Sequence, residues 1–275
     1  MNSTLLISSE IDAFYSISSE KNRLKQGLGP LEYERTQELI QRYISKQACV
    51  IADVGGGPGI YAEWLSLLGH TVYLIDPVLK HIQQAKKRAG KLKKPFQCIQ
   101  AEAQTLSLPD DSMDMVILHG PLYHLQIKQQ RLNAIHEARR VLKKDGIILG
   151  FAINFAASAI IGLLNGFIHH TDFFEMCRQE LKNGLHYPAH TWPGLLPTAY
   201  FHKAEELQQE FESARLTCLD LLAVESFIWL DKNYFENRAD PLKKEKLLEL
   251  LRLIEKEKSV LGISPHIMIA ARKNC

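Results

Sequence analysis

Strong charge of either sign is missing from this sequence. Its 33 Lys and Arg face 31 Asp and Glu, a formal net charge of +2 at pH 7, with a pI near 8.2. So even a balance does not itself imply nucleic acid as a partner. Cysteine is sparse: Cys49, Cys98, Cys177, Cys218 and Cys275 are scattered without a C-x-x-C pair, and the reading is reduced thiols in the cytoplasm. Long apolar runs are short of membrane length. The stretches 146–153 and 156–164 are interrupted by Asn154 and by Asn165-Gly166, so a membrane span is not expected. The first residues, MNSTLLISSEIDAFYS, lack a basic flank followed by a long apolar core, and no secretory signal is read. Repeats and low-complexity segments are absent too.

What is present is 46% hydrophobic residues in 275, enough to bury a full core. Apolar or alternating runs recur at 49–54, 71–75, 96–100, 115–118, 147–153, 218–224 and 266–271, with helical periodicity between most of them, as at 78–88 and 127–142. Strands alternating with helices predict an α/β fold, a doubly wound and mostly parallel sheet whose ligand-facing loops share one edge. Two regions break the alternation. Residues 1–47 read as an N-terminal helical cap. Residues 154–200 read as a helical insertion, able to close over the ligand edge as a lid. The core would then comprise 48–153 and 201–275.

The most informative stretch is Ile51-Ala52-Asp53-Val54-Gly55-Gly56-Gly57-Pro58-Gly59-Ile60. It predicts a buried strand that ends in an acid and breaks into a glycine turn opening a helix. Such a turn lets backbone N–H groups approach a flat or charged ligand. A dinucleotide site wants G-x-G-x-x-G, but Ile60 stands where its third glycine would be. Asp53 would also repel a pyrophosphate. About 20 residues on, Asp76 ends the second strand, where a carboxylate can accept from ribose hydroxyls.

Acid-x-G-x-G-x-G resembles the first motif of class I S-adenosylmethionine-dependent methyltransferases. The stretch Ala101-Glu102-Ala103-Gln104-Thr105-Leu106-Ser107-Leu108-Pro109 through Val116 is similar to the same family's third-strand pattern, and Arg140–Gly146 to its turn into strand five. The resemblance covers about residues 48–153 and rests on ordered elements rather than one short pattern. It implies a seven-stranded sheet with an antiparallel last strand and S-adenosylmethionine as cofactor, S-adenosylhomocysteine being the product. It further implies methyl transfer to a small polar acceptor at oxygen or nitrogen.

Residue roles follow from that resemblance. Asp53, Gly55, Gly57, Gly59 and Asp76 would hold the cofactor. Glu102 and Ala103 would meet the adenine, Glu102 standing where the family usually has Asp. His119 and Gly120 would touch the cofactor through backbone. Tyr123 and His124, in the Gly120-Pro121-Leu122-Tyr123-His124-Leu125 loop, which resembles that of a bacterial group of small-molecule methyltransferases, would face the acceptor, with His124 as candidate base. Tyr33 and Arg35 would cap the cofactor, Arg35 by pairing with its carboxylate. His186, Tyr200 and His202 are candidates for acceptor binding. The basic run Lys86–Lys94 reads as a solvated helix end, and nucleic acid is not an expected partner. His169-His170-Thr171-Asp172 lacks matched ligand spacing, so no metal is expected. A nicotinamide-dependent reductase and a non-catalytic cofactor-binding or partner module stay open.

Overall fold

The computed structural model describes residues 7, 9–17, 20–44, 48–188, 192 and 195–274. Seven strands form one sheet: β1 (Val50–Val54), β2 (Thr71–Asp76), β3 (Gln97–Gln100), β4 (Met113–His119), β5 (Leu142–Ile153), β8 (Leu216–Ala223) and β9 (His266–Lys273). A separate two-stranded ribbon pairs β6 (Leu185–His186) with β7 (Ala199–Tyr200). The sheet order is β3-β2-β1-β4-β5-β9-β8. Strands β1 to β5 pair in parallel, and β9 runs antiparallel between β5 and β8. This is the Rossmann-like methyltransferase fold, and each of the seven predicted runs supplies a strand of it. β5 begins at Leu142, earlier than expected, because Leu142 already pairs with Met113; the register shifts before Ile147, where Asp145 takes a left-handed φ of 62°, a conformation Asp tolerates better than most residues.

Strand alternation decides which helices cover which face. Ile51, Leu74, Ile117, Leu149 and Phe151 pack with Leu39 and Ile40 of α3 (Gly29–Tyr43), Leu65 of α4 (Ile60–Leu67) and Ile82 of α5 (Leu79–Ala89). Ala52, Val54, Val116, Leu118 and Ile148 pack with Ile135 and Ala138 of α7 (Lys128–Val141) and with Phe211 of α10 (Ala204–Ser213). Before α3 lie α1 (Ser9–Ile17) and α2 (Glu20–Arg23), and the short α6 (Pro121–His124) follows β4. The region 154–200 holds α8 (Ala157–Asn165) and α9 (Thr171–Asn183). Three more helices, α11 (Tyr234–Ala239), α12 (Pro241–Ile254) and α13 (Lys258–Leu261), link β8 to β9. Among the described residues no helix is long and apolar enough to cross a membrane. Among the described residues the four cysteines form no disulfide with one another.

Candidate active site

The ends of the parallel strands open into a cleft of about 500 Å³. Its floor is the glycine turn. Gly55 donates its N–H to the Ile75 carbonyl at 2.8 Å and has a φ of 80°; a Cβ there would lie 2.5 Å from the His119 carbonyl oxygen. Only glycine lets β1 and the β4–α6 loop approach so closely. Gly57, with a φ of 55°, faces open space instead, while its N–H donates to Asp76 Oδ2 at 2.9 Å. Gly59 N-caps α4, where a Cβ would press on Phe96 at 2.9 Å. It serves helix packing and does not line the cleft.

Two acids flank the turn. Asp53 is fully buried and neither of its carboxylate oxygens has a hydrogen-bond partner. Burial, and then the neighbouring Asp76, push its carboxyl up to about 7. Asp76 is well supported: Oδ1 accepts from the Val78 N–H at 2.9 Å and faces His81 Nδ1 at 3.1 Å. Such support fixes a carboxylate for recognition of hydroxyls. Glu102 and Ala103, after β3, line the cleft beyond Asp76.

The opposite wall comes from β4, α6 and α1. His119, Gly120, Tyr123 and His124 all line it. The His119 ring stacks on Phe151 with centroids 4.6 Å apart, and burial holds its imidazole down to about 3. His124 Nε2 lies 2.7 Å from the Tyr15 hydroxyl. Burial also holds His124 down to about 4, so the ring is neutral at pH 7 and far from the value near 7 that suits a general base. Tyr15 belongs to α1, which spans the cleft: Lys80 Nζ donates to the Tyr15 carbonyl at 2.8 Å, and Thr198 Oγ1 donates to Glu10 Oε2 at 3.2 Å.

Several predicted residues lie elsewhere. Arg35, 0% exposed, donates to the Val224 carbonyl at 3.1 Å and pairs with Glu38 and Glu255; it ties α3 to the β8 and α12 ends and does not reach the cleft. Tyr33 stands one ring behind the wall, with its centroid 5.5 Å from that of Tyr61. His186 is enclosed by the Glu180 carboxylate, the Leu196 carbonyl and the Phe201 ring. Tyr200 lies 3.7 Å under the Arg131 guanidinium. His202 Nε2 is 3.4 Å from Glu210. These three do not line the cleft among the described residues; Tyr200 and His202 sit behind it. Arg131 connects them to it, because it binds Glu210 at 2.7–3.1 Å and donates to the Leu125 and Gln126 carbonyls at 3.0 and 2.8 Å. From the insertion, Thr198 is the described residue that lines the cleft.

Sequence reasoning missed Tyr15, Arg23, Tyr61, His81 and Gln126, all lining residues. No spacing pattern marks them, since α1, α2, α4, α5 and the α6–α7 loop contribute them separately. For three of them the signal is in three dimensions: Tyr61 Oη, His81 Nε2 and Gln126 Nε2, like His119 Nδ1 and His124 Nδ1, are buried without a hydrogen-bond partner. Buried polar atoms are seldom left so. Their concentration around one cleft, together with Asp53, marks a site for a polar ligand.

Residues 52–150, which build the floor and much of both walls, match the family model described as "Methyltransferase domain". The class that the fold defines is a Rossmann-like α/β chain, of which residues 52–150 are similar to a methyltransferase domain. Among solved structures it is similar to the PH0226 protein of Pyrococcus horikoshii, at 15% identity and a TM-score of 0.63, covering 95% of this chain and 99% of that one. It is also similar to NodS, an N-methyltransferase of Bradyrhizobium japonicum in complex with S-adenosylhomocysteine, at 14% identity and a TM-score of 0.60, covering 97% and 99%. A third likeness is to a SAM-dependent methyltransferase of Methanosarcina mazei, at 18% identity and a TM-score of 0.58, covering 86% and 97%. At these identities the likeness concerns the fold. None of the curated proteins compared matches the chain significantly.

Proposed function

We propose that this protein transfers a methyl group from S-adenosylmethionine to the nitrogen or oxygen of a small polar acceptor. The observation that carries the reading is Asp53: a buried, unpartnered carboxyl aimed into a glycine-turn cleft. A pyrophosphate would be repelled by Asp53 and Asp76 together. A ligand with ribose hydroxyls for Asp76 and an ammonium near Asp53 suits both acids.

When bound, S-adenosylmethionine supplies a methyl carbon already activated by a sulfonium. The protein's task is then alignment and exclusion of water, which can provide most of the acceleration. Asp76 would fix the ribose and Glu102 with Ala103 the base, while the Gly55–Gly57 backbone lets the ligand lie close to β1. Tyr123, His124 and Gln126, at the outer wall, would orient the acceptor. The donor would supply its methyl carbon to the acceptor's lone pair and be left as a neutral thioether, while the acceptor's proton would pass to solvent. His124 is neutral and can take a hydrogen bond from the acceptor, but it is too weak a base to ionise an ordinary hydroxyl beforehand. The reading therefore favours a neutral amine, a ring nitrogen or an acidic hydroxyl. The insertion 154–200 would contribute to closure through Thr198, alongside α1.

Calorimetric titration with S-adenosylhomocysteine and, separately, NAD tests the ligand class. A screen of small amines, heteroaromatics and phenols for methyl uptake tests the reaction. Retention of NAD in preference to the nucleoside thioether would defeat the reading.

A further inference from the structure

The outer wall of the cleft holds two polar atoms whose hydrogen bonds are unmade. Gln126, in the loop between α6 and α7, lines the cleft, and its Nε2 is buried without a partner. His124, two residues earlier, is engaged at Nε2 by the Tyr15 hydroxyl. Its Nδ1 is left over, buried and also without a partner.

The loop itself is held from behind. Arg131, 2% exposed, donates from Nη1 to the Leu125 and Gln126 carbonyls at 3.0 and 2.8 Å. Glu210 accepts from its Nε and Nη2 at 2.7–3.1 Å. The Gln126 backbone is thereby fixed, while the amide nitrogen of its side chain is unsatisfied. A buried N–H in that state destabilises the ligand-free chain, and an oxygen brought by a ligand removes the penalty.

Charge narrows the kind of oxygen. Among the described residues the charged side chains lining the cleft are Glu10, Asp53, Asp76, Glu102 and Arg23, and Arg23 is already joined to Glu32. An excess of acids disfavours a carboxylate or phosphate on the acceptor, which leaves a neutral carbonyl. Ile11, Leu24, Leu125 and Ile127 line the same space and suit an apolar ring. A few placed polar groups in an apolar wall are what orient a small molecule.

We propose, resting on the methyl-donor reading, that the acceptor is an uncharged ring compound with a carbonyl oxygen beside its nucleophilic nitrogen or hydroxyl, and that Gln126 is the residue that selects it. Gln126 Nε2 can only donate, so it takes the carbonyl oxygen. His124 Nδ1 faces the neighbouring N–H or O–H. An aromatic amide with an ortho hydroxyl or amine presents both atoms on one edge.

The test uses the full chain saturated with S-adenosylhomocysteine and titrated by calorimetry with salicylamide, phenol, 2-aminobenzamide, aniline and salicylate. Each amide is expected to bind about tenfold or more tightly than phenol or aniline, the worth of one hydrogen bond that the smaller probe leaves unmade. Salicylamide should also bind more tightly than salicylate. Gln126→Leu should erase the preference for the amides and keep S-adenosylhomocysteine affinity within about twofold. Its melting temperature without ligand should equal or exceed that of wild type, because the substitution removes an unmade donor. Gln126→Glu, which offers only acceptor oxygens at neutral pH, should erase the preference too.

Equal affinity within each pair, no measurable binding of either amide, or tighter binding of salicylate overturns the assignment. So does a preference that survives in either folded variant. A melting temperature lowered by several degrees in Gln126→Leu would mark a structural side chain and overturns it as well, as does loss of S-adenosylhomocysteine affinity in both variants. Failure of the wild type to bind S-adenosylhomocysteine defeats the donor reading instead, and that result is in hand before any acceptor probe is added.

Discussion

The Tyr15 hydroxyl and His124 Nε2 share a hydrogen bond of 2.7 Å that joins α1 to α6 across the mouth of the cleft. The Tyr15 ring also meets His81 edge-on, with centroids 4.8 Å apart. One side chain thus braces both walls. Removing the hydroxyl with Tyr15→Phe keeps the ring contacts and releases His124. Turnover is expected to fall about tenfold, the worth of one buried hydrogen bond, with donor affinity within about twofold of wild type. His124→Ala should lower turnover at least as far. Steady-state kinetics at saturating donor decide it; a loss confined to donor affinity would assign the pair to the donor instead.

Asp53 makes stability and donor binding respond to pH in opposite directions. Its folded value, about 7, lies above the unfolded carboxyl value near 4. The stability it contributes is therefore full below about pH 4 and is lost as pH rises through 7. Asp53→Asn should raise the melting temperature of the ligand-free protein at pH 8. Donor affinity in the wild type should climb about tenfold from pH 6 to pH 8 as the carboxylate forms, and this climb should vanish in Asp53→Asn. Thermal scans and titrations at both pH values check the pair of effects.

The glycines of the turn are not equivalent. Gly55→Ala forces a methyl into the His119 carbonyl and Pro121 ring, so loss of folded protein or a shift of the whole β4–α6 loop is expected. Gly57→Ala meets open space and carries only the strain of a φ of 55°, roughly 1–3 kcal/mol. It should fold, with a modestly lower melting temperature, and lose donor affinity because its methyl enters the ligand's space. Circular dichroism melts and titration separate the two.

Glu210→Gln probes the support behind the outer wall. Arg131 would keep its bonds to the Leu125 and Gln126 carbonyls but lose a buried carboxylate partner. A lower melting temperature, by several degrees, is expected together with a raised acceptor KM. Donor affinity should be unchanged, since none of these groups lies near Asp53 or Asp76.

The parts legible in the sequence were those encoded locally. Strand period, the acid-ended strand before Gly55 and the acid at Asp76 are each contained in a few consecutive residues, and all lie where their spacing placed them. What failed was assignment across distance. Arg35 follows Tyr33 in a cap helix and has the right chemistry for a carboxylate, but its face of α3 turns toward Glu255, and Arg23 from α2 takes the cleft. His186 and His202 sit among aromatics and prolines like acceptor-binding residues, yet Glu180 and Glu210 engage them in buried pairs. Neither carboxylate partner carries a sequence mark, because each lies on an ordinary helix. His124 reached the cleft as expected, while the burial that lowers its basicity depends on packing from α1.

The most direct measurement is calorimetric titration of the purified chain with S-adenosylhomocysteine, run in parallel with NAD and repeated on Asp76→Ala. One equivalent of S-adenosylhomocysteine bound at micromolar affinity, none detectable for NAD, and loss of that binding in Asp76→Ala are expected. Binding of NAD, or S-adenosylhomocysteine binding that survives Asp76→Ala undiminished, would contradict the assignment of this cleft to a methyl donor.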